Sequence, residues 1–256
     1  MDTSQSSLSD NPSYIPAGHL ASFTGLMAAQ STRHGGVSIA PYSSLNLGRY
    51  TADSFDQVRA NRQRFFANLD WPAAAFVESH QVHQDRIKHV QKSGAHEGFD
   101  GMLTQKKGVA LTITVADCCP VLLYDPVTES IGAAHAGWKG TVAGIAATLV
   151  NRMQSAFGVL PANLYAWTGA CISPDHYEVD ADVADQFPAA HKKWVEERGK
   201  FLLDVPGANA AQLRATGVQR LERAPYCTYR DHEHFFSHRY DRGQTGRGWA
   251  VIGMRP

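Results

Sequence analysis

His83 in ESHQVHQD, Cys118 in TVADCCPVLLYDP and His135 in IGAAHAGWKG each set a side chain able to ligate a metal beside a turn. Two imidazoles and one thiolate can hold a zinc ion and leave its fourth position to water or substrate, which separates a catalytic from a structural site. The same residues admit a metal-free alternative, with Cys118 as nucleophile and His135 as its base. The intervals between them exceed any local metal loop, so tertiary structure must bring them together. A lone histidine is more often a hydrogen-bonded structural residue than a ligand, and only the three taken together point to a site.

Further side chains bear on that chemistry. His80, three residues before His83, is an alternative ligand or a partner that fixes the His83 tautomer. Glu78 could orient an imidazole or simply be a surface carboxylate. Cys118 and Cys119 are adjacent on extended backbone and point to opposite faces, so one is expected at the site and the other in the core. Asp117, a carboxylate in an apolar stretch, needs a partner and is a candidate to accept a hydrogen bond from a metal ligand or from substrate.

Candidates for holding an anion are spread along the chain. Arg33, in the Gly-rich STRHGGVS, has the planar fork that suits phosphate. Asn46 in SSLNLG holds the same loop together or touches a ribose. Lys139 and Gly140, with Gly137 and Thr141, lie where a helix should start after His135, and free N–H groups there favour an anion; the competing picture is a tight turn that merely needs glycine. Arg239 and Arg247 are further candidates for anion contact, with a structural ion pair the favoured reading for Arg247. His232 and His234 form a single His-x-His pair. Multicopper clusters need several such pairs and a cysteine flanked by histidines, so this pair reads as a hydrophilic turn.

The elements that must position these residues show in the hydrophobic pattern. FTGLMAAQSTRHGGVSIAPYSSLNLG suggests short strands joined by a long loop. Phe55, Val58, Phe65 and Phe66 predict an amphipathic helix over 54–69, ending before Trp71-Pro72. VALTITV, VLLYD and SIGAAHAG read as buried strands, and TVAGIAATLVNRMQSAFG as a helix with Gly158 as its stop. A strand in NLYAWT precedes a helix over about 181–187, and LLDVPGANAAQLRATG is a strand and then a helix. An edge strand in GWAVIGM closes the chain. The interleaving lacks a regular βαβ repeat, which favours an α/β (α+β) fold of mixed sheets layered with helices over a barrel.

Composition limits the partners. The 256 residues, 43% of them apolar, suffice for a substantial core, and 24 basic residues against 24 acidic ones give no polyanion signature. Nucleic acid is therefore not an expected partner. No stretch reaches the roughly 18 apolar residues that span a bilayer, and the polar N-terminus is no signal peptide, so a cytoplasmic protein without membrane contact is expected. Four scattered cysteines make no disulfide framework. The division expected is a flexible tail over 1–20 and one catalytic domain over 21–256.

The motifs QVH, DG at Asp100, TVADCCPVLLYDP, IGAAHAGWKG, GACISPDHYEV, LDVPGAN and CTYRDHEHFFSHRYDRGQTGR occur in this order. In this combination the chain strongly resembles the laccase-domain, or polyphenol oxidase, family, also described as purine nucleoside phosphorylases, over about 25–252. The resemblance implies a cysteine-hydrolase-like fold and a zinc site on His83, Cys118 and His135. It also implies phosphorolysis of adenosine, inosine and methylthioadenosine to a free base and ribose 1-phosphate or its methylthio analogue, with adenosine deamination in addition. Purine nucleosides and phosphate would be the partners of a monomer or homodimer. Copper-dependent phenol oxidation is the family's alternative activity, with copper in place of zinc.

Overall fold

The computed structural model describes Leu8 and residues 11–256. In chain order the strands are β1 (Tyr14–Pro16), β2 (Leu26–Ser31), β3 (Phe76–His80), β4 (Ile87–His89), β5 (Gly94–Glu97), β6 (Gly101–Thr104), β7 (Ala110–Val115), β8 (Cys119–Asp125), β9 (Ser130–Ala136), β10 (Tyr165–Thr168), β11 (Glu178–Val179), β12 (Lys192–Val195), β13 (Lys200–Leu203), β14 (Arg220–Arg223) and β15 (Gly248–Met254). The helices are α1 (Phe55–Asn68), α2 (Trp138–Val142), α3 (Ile145–Phe157), α4 (Ala181–Ala184) and α5 (Val205–Ala215). One sheet has the order β1-β2-β15-β7-β3-β5 and a second β14-β10-β8-β9-β6-β4, while β11-β13-β12 form a small third.

The period-2 alternation along β8 explains how the two large sheets stack. Leu122 and Tyr124 face Leu111, Ile113, Ala250 and Ile252 of the other sheet, whereas Val121 and Leu123 face α3 and α5. On the outer side of the first sheet, Phe65 and Phe66 of α1 pack on Met27, Trp249 and Val251. The layers therefore run helix, sheet, sheet, helix. Strands covered on both faces need continuous apolar runs, which is why ALTITV and SIGAAHA carry so few polar residues.

In α3 the buried Ile145, Ala146, Leu149, Val150 and Met153 recur at helical spacing, and each larger one contributes about 1.5–3 kcal/mol through burial. Gly158 ends the helix at φ 70° as expected, but Gly144 at φ 82° divides the expected single helix into α2 and α3.

Three other expectations are corrected. GWAVIGM is no edge: β15 is buried throughout and sits between β2 and β7. Of the stretch expected as a tail over 1–20, Tyr14–Pro16 pairs with β2 and a 3-10 turn follows at Gly18–Ser22; residues 1–7, 9 and 10 lie outside the described residues. The helix expected to reach Phe187 stops at Ala184. No helix among the described residues is long and apolar enough to cross a membrane.

Candidate active site

The three candidate ligands meet where the two large sheets adjoin. His135 is the penultimate residue of β9, Cys118 stands in the turn leading into β8, and the register pairs Pro120 with His135 and Cys119 with Ala136. These two side chains thus come from neighbouring strand ends of one sheet. His83 arrives from the other, on the loop after β3. Gln81 fastens that loop by exchanging hydrogen bonds with the backbone of Thr114 at 2.9 and 2.7 Å. The ligand atoms of His83, Cys118 and His135 all lie within 4.8 Å of one another.

Asp100, fully buried before β6, is the anchor beneath them. Its Oδ1 accepts from His135 Nδ1 at 2.8 Å and from the His83 amide at 2.9 Å, while Oδ2 accepts from the amides of Val82 and Gln84 at 3.0 and 2.9 Å. His83 adopts φ 59°, a left-handed conformation that costs a residue with a Cβ about 1–3 kcal/mol unless its surroundings hold it. Three amides converging on one carboxylate offset that cost.

Electrostatics follow from the same contacts. Burial alone would raise the Cys118 thiol, but the charge of His135 and hydrogen bonds from His135 and His83 outweigh it and bring it down to about 6. Burial opposes charge on His135 too, yet the Cys118 thiolate and Asp100 carry it up to about 10. Each group of the pair thus favours the charged form of the other. Asp100 itself is held below the ordinary carboxylate range: burial works against that direction, and hydrogen bonds from His135 and Gln84 prevail.

A metal fits this donor set. A thiol that ionises readily and two imidazoles form a borderline-soft site, and with His135 Nδ1 engaged by Asp100, Nε2 is the nitrogen left for an ion. Gly137 packs against all three: a Cβ there would come within 3.1 Å of Cys118 Sγ, 3.1 Å of the His83 ring and 3.7 Å of the His135 ring. The triad lines a cavity of about 480 Å³, large enough for a nucleoside-sized molecule.

Of the other residues weighed from the sequence, Glu78, His80, Asp117, Cys119, Gly137, Arg239 and Arg247 line this cavity. Asp117 acts there as a tie. Its Oδ1 accepts from Thr228 and Ser237 hydroxyls at 2.6 and 2.7 Å and its Oδ2 from the Arg239 amide at 2.7 Å. The Arg239 guanidinium donates to the Glu178 carbonyl and lies over the Tyr177 ring. Cys119 is 1% exposed and packs in the core behind Cys118.

Arg33, Asn46, Lys139 and Gly140 are not among the cavity-lining residues. Arg33 donates to the carbonyls of Ser43 and His232. The Asn46 side chain is buried and bonds Thr51, Asp53 and the amides of Gly48 and Arg247. Lys139 is exposed, with its ammonium over the Trp138 ring. Gly140 is buried inside α2, and Thr141 caps back onto the Gly137 carbonyl. His80 lies against Tyr50 at the mouth with ring centroids 4.4 Å apart and the rings tilted by 40°, and Glu78 pairs with Arg62. His234 faces His34 at 3.1 Å, and His232 stacks on Tyr240.

Arg247 departs from its expected ion pair. Its guanidinium donates to the carbonyls of Thr245 and Gly246, lies 3.4 Å from His238 Nδ1, and pairs with no carboxylate among the described residues. Half-buried against the cavity, it is depressed chiefly by that burial. Arg49 and His238 join it on the lining. Arg49, Tyr177, Trp138 and Asp100 were absent from the sequence candidates. For Asp100 the available signal was an acidic residue directly before the apolar GMLT, where a buried carboxylate must find donors.

Residues 27–255 match the family described as "Multi-copper polyphenol oxidoreductase laccase". The chain is 45% identical over 228 residues to a Deinococcus radiodurans protein named purine nucleoside phosphorylase, covering 88% of each. It is 36% identical to purine nucleoside phosphorylase YfiH of Escherichia coli, covering 90% of this chain and 94% of that one. The crystal structure of YlmD from Geobacillus stearothermophilus superposes with a TM-score of 0.90 at 36% identity, over 96% and 97% of the two chains.

Proposed function

We propose, because the chain belongs to the family described as multi-copper polyphenol oxidoreductase laccase, that this protein is a zinc-dependent purine nucleoside phosphorylase. Its relatives carry the name purine nucleoside phosphorylase. The substrates would be adenosine, inosine and methylthioadenosine with phosphate, and the products the free base and ribose 1-phosphate or its methylthio analogue. Adenosine deamination accompanies this as a second activity in the same cavity. The observation that carries the reading is that the wall holding His83, Cys118 and His135 also holds Arg247, a half-buried guanidinium that pairs with no carboxylate among the described residues.

Burial disfavours the charge on Arg247, and Asp117 and Cys118 offset that only through space, so a bound anion would be welcome there; a planar fork is suited to an oxyanion. We assign phosphate to Arg247 and His238, with Arg49 and Arg239 completing the positive rim, in place of Arg33 and Lys139. Phosphate held there would face the positive charge that develops on ribose as the glycosidic bond lengthens. Asp117 keeps the Arg239 amide and the Ser237 hydroxyl in register, and so shapes this end of the cavity without itself moving a proton. The exposed Tyr50, tilted against His80, offers an aromatic face at the mouth for a purine ring. Zinc on the triad would supply a Lewis acid that polarises a substrate or water oxygen.

Product analysis of zinc-loaded protein tests the reading. Adenosine and inosine with phosphate should yield free base and ribose 1-phosphate, and adenosine without phosphate should yield inosine. Absence of base and ribose 1-phosphate overturns the phosphorylase. A second reading is favoured by one observation, the approach of Cys118 Sγ and a His135 ring nitrogen to within 4.8 Å, with each group favouring the charged form of the other: a metal-free hydrolase or deamidase. A zinc-free preparation that turns over substrate and carries a covalent adduct at Cys118 would support it over the first.

A further inference from the structure

Three of the four hydrogen bonds to Asp100 come from the consecutive amides of Val82, His83 and Gln84, and the fourth from His135 Nδ1. The Asp100 carbonyl also accepts from the His135 amide at 2.7 Å. The carboxylate is fully buried and does not line the cavity, so it reaches substrate only through these two histidines. A ring N–H bound to a carboxylate fixes the tautomer and leaves the opposite nitrogen lone pair for an ion. The amide bonds set where the His83 ring is presented.

We infer that Asp100 is the positioning residue for both imidazoles, holding His135 with its proton on Nδ1 and His83 on a turn that aims its ring at Cys118. One carboxylate thereby couples a ligand from each large sheet. The inference rests on the metal-centre part of the proposed function. If Asp100 only closed the turn over 82–84, its loss would lower stability without changing how the histidines meet an ion.

The test combines long-range 1H–15N NMR on zinc-loaded protein with chelator competition for zinc, on wild type and Asp100→Asn. In wild type the His135 proton should sit on Nδ1 and the metal on Nε2. Asp100→Asn should bind zinc about 10- to 100-fold more weakly. Asp125→Asn removes another fully buried carboxylate, one that holds the turn at Val127 and Thr128, and should leave zinc affinity within about twofold of wild type, as a purely structural carboxylate would. Metal on Nδ1 of His135, or an Asp100→Asn affinity within about twofold of wild type, overturns the inference. The nitrogen assignment decides the matter even if Asp100→Asn fails to fold. A wild type that takes up no zinc removes the metal centre and this inference together, whereas uptake unchanged by Asp100→Asn removes the inference alone.

Discussion

At one end of the cavity His135 is 3% exposed and its Nδ1 is tied to a carboxylate that is wholly buried, while at the other Tyr50 is 61% exposed and lies against the ring of His80. The inner end is assembled from strand ends and amides that have nowhere else to bond. The outer end is assembled from long side chains, Arg49, Arg239 and Arg247, resting on carbonyls, a carboxylate and rings. The difference teaches how geometry is divided between them. Atoms that must meet within a bond length of an ion are fixed by the backbone, and groups that must receive and release a diffusing molecule are left able to adjust.

The most drastic way to break the inner end is His135→Ala, which should abolish zinc uptake and turnover together, as seen by elemental analysis and product assay; zinc retained at full stoichiometry would move the ligand elsewhere. At the outer end, Arg247→Met should keep zinc content and raise KM for phosphate by about 10- to 150-fold, since a hydrogen bond to a charged group contributes about 1.5–3 kcal/mol. A fall in metal content in that variant would erase the distinction between the ends. Gly137→Ala forces a methyl group against Sγ and the His83 ring, and overpacking of about 1–3 kcal/mol should weaken zinc binding roughly 5- to 150-fold in chelator competition.

A gentler probe uses pH. In the metal-free protein the Cys118 thiol is lowered from its ordinary value to about 6, so thiolate is present above that pH and lost below it. Alkylation of Cys118 by iodoacetamide should rise through about pH 6, whereas a midpoint near that of a free thiol, about 8.5, would show that His135 does not stabilise the anion. The smallest effect is expected for Lys139→Ala. Its ammonium is exposed and off the cavity, and KM for phosphate should stay within about twofold, as for a surface charge.

The two ends also differ in how far they could be read from the residues alone. His83, Cys118 and His135 stood out only as a set, since a histidine taken alone is more often structural, and Cys119 was separated from Cys118 by simple alternation along a strand. Asp100 was hidden because its role is defined by the amides it accepts, which no residue type records. Arg33 carried the right chemistry for an anion, but the carbonyls around it claimed it, and Asn46 took the loop-holding role of its two alternatives. Arg247, expected in an ion pair, faces the cavity instead. The layered arrangement followed from the apolar runs, while the place of GWAVIGM did not. Its two neighbours are remote in sequence, and a buried middle strand and a buried edge look alike in hydrophobicity.

That strand sets the order in which the chain can settle. β2 ends at Ser31 and β15 begins at Gly248, yet within the first sheet only β15 joins the pair β1-β2 to the group β7-β3-β5. During synthesis the early strands must wait, with an unfilled gap between them, until the last stretch of this sequence emerges, and waiting strand edges invite aggregation. A chain interrupted before Gly248 would leave two sheet fragments in place of one, and chaperone dependence should be concentrated in that interval.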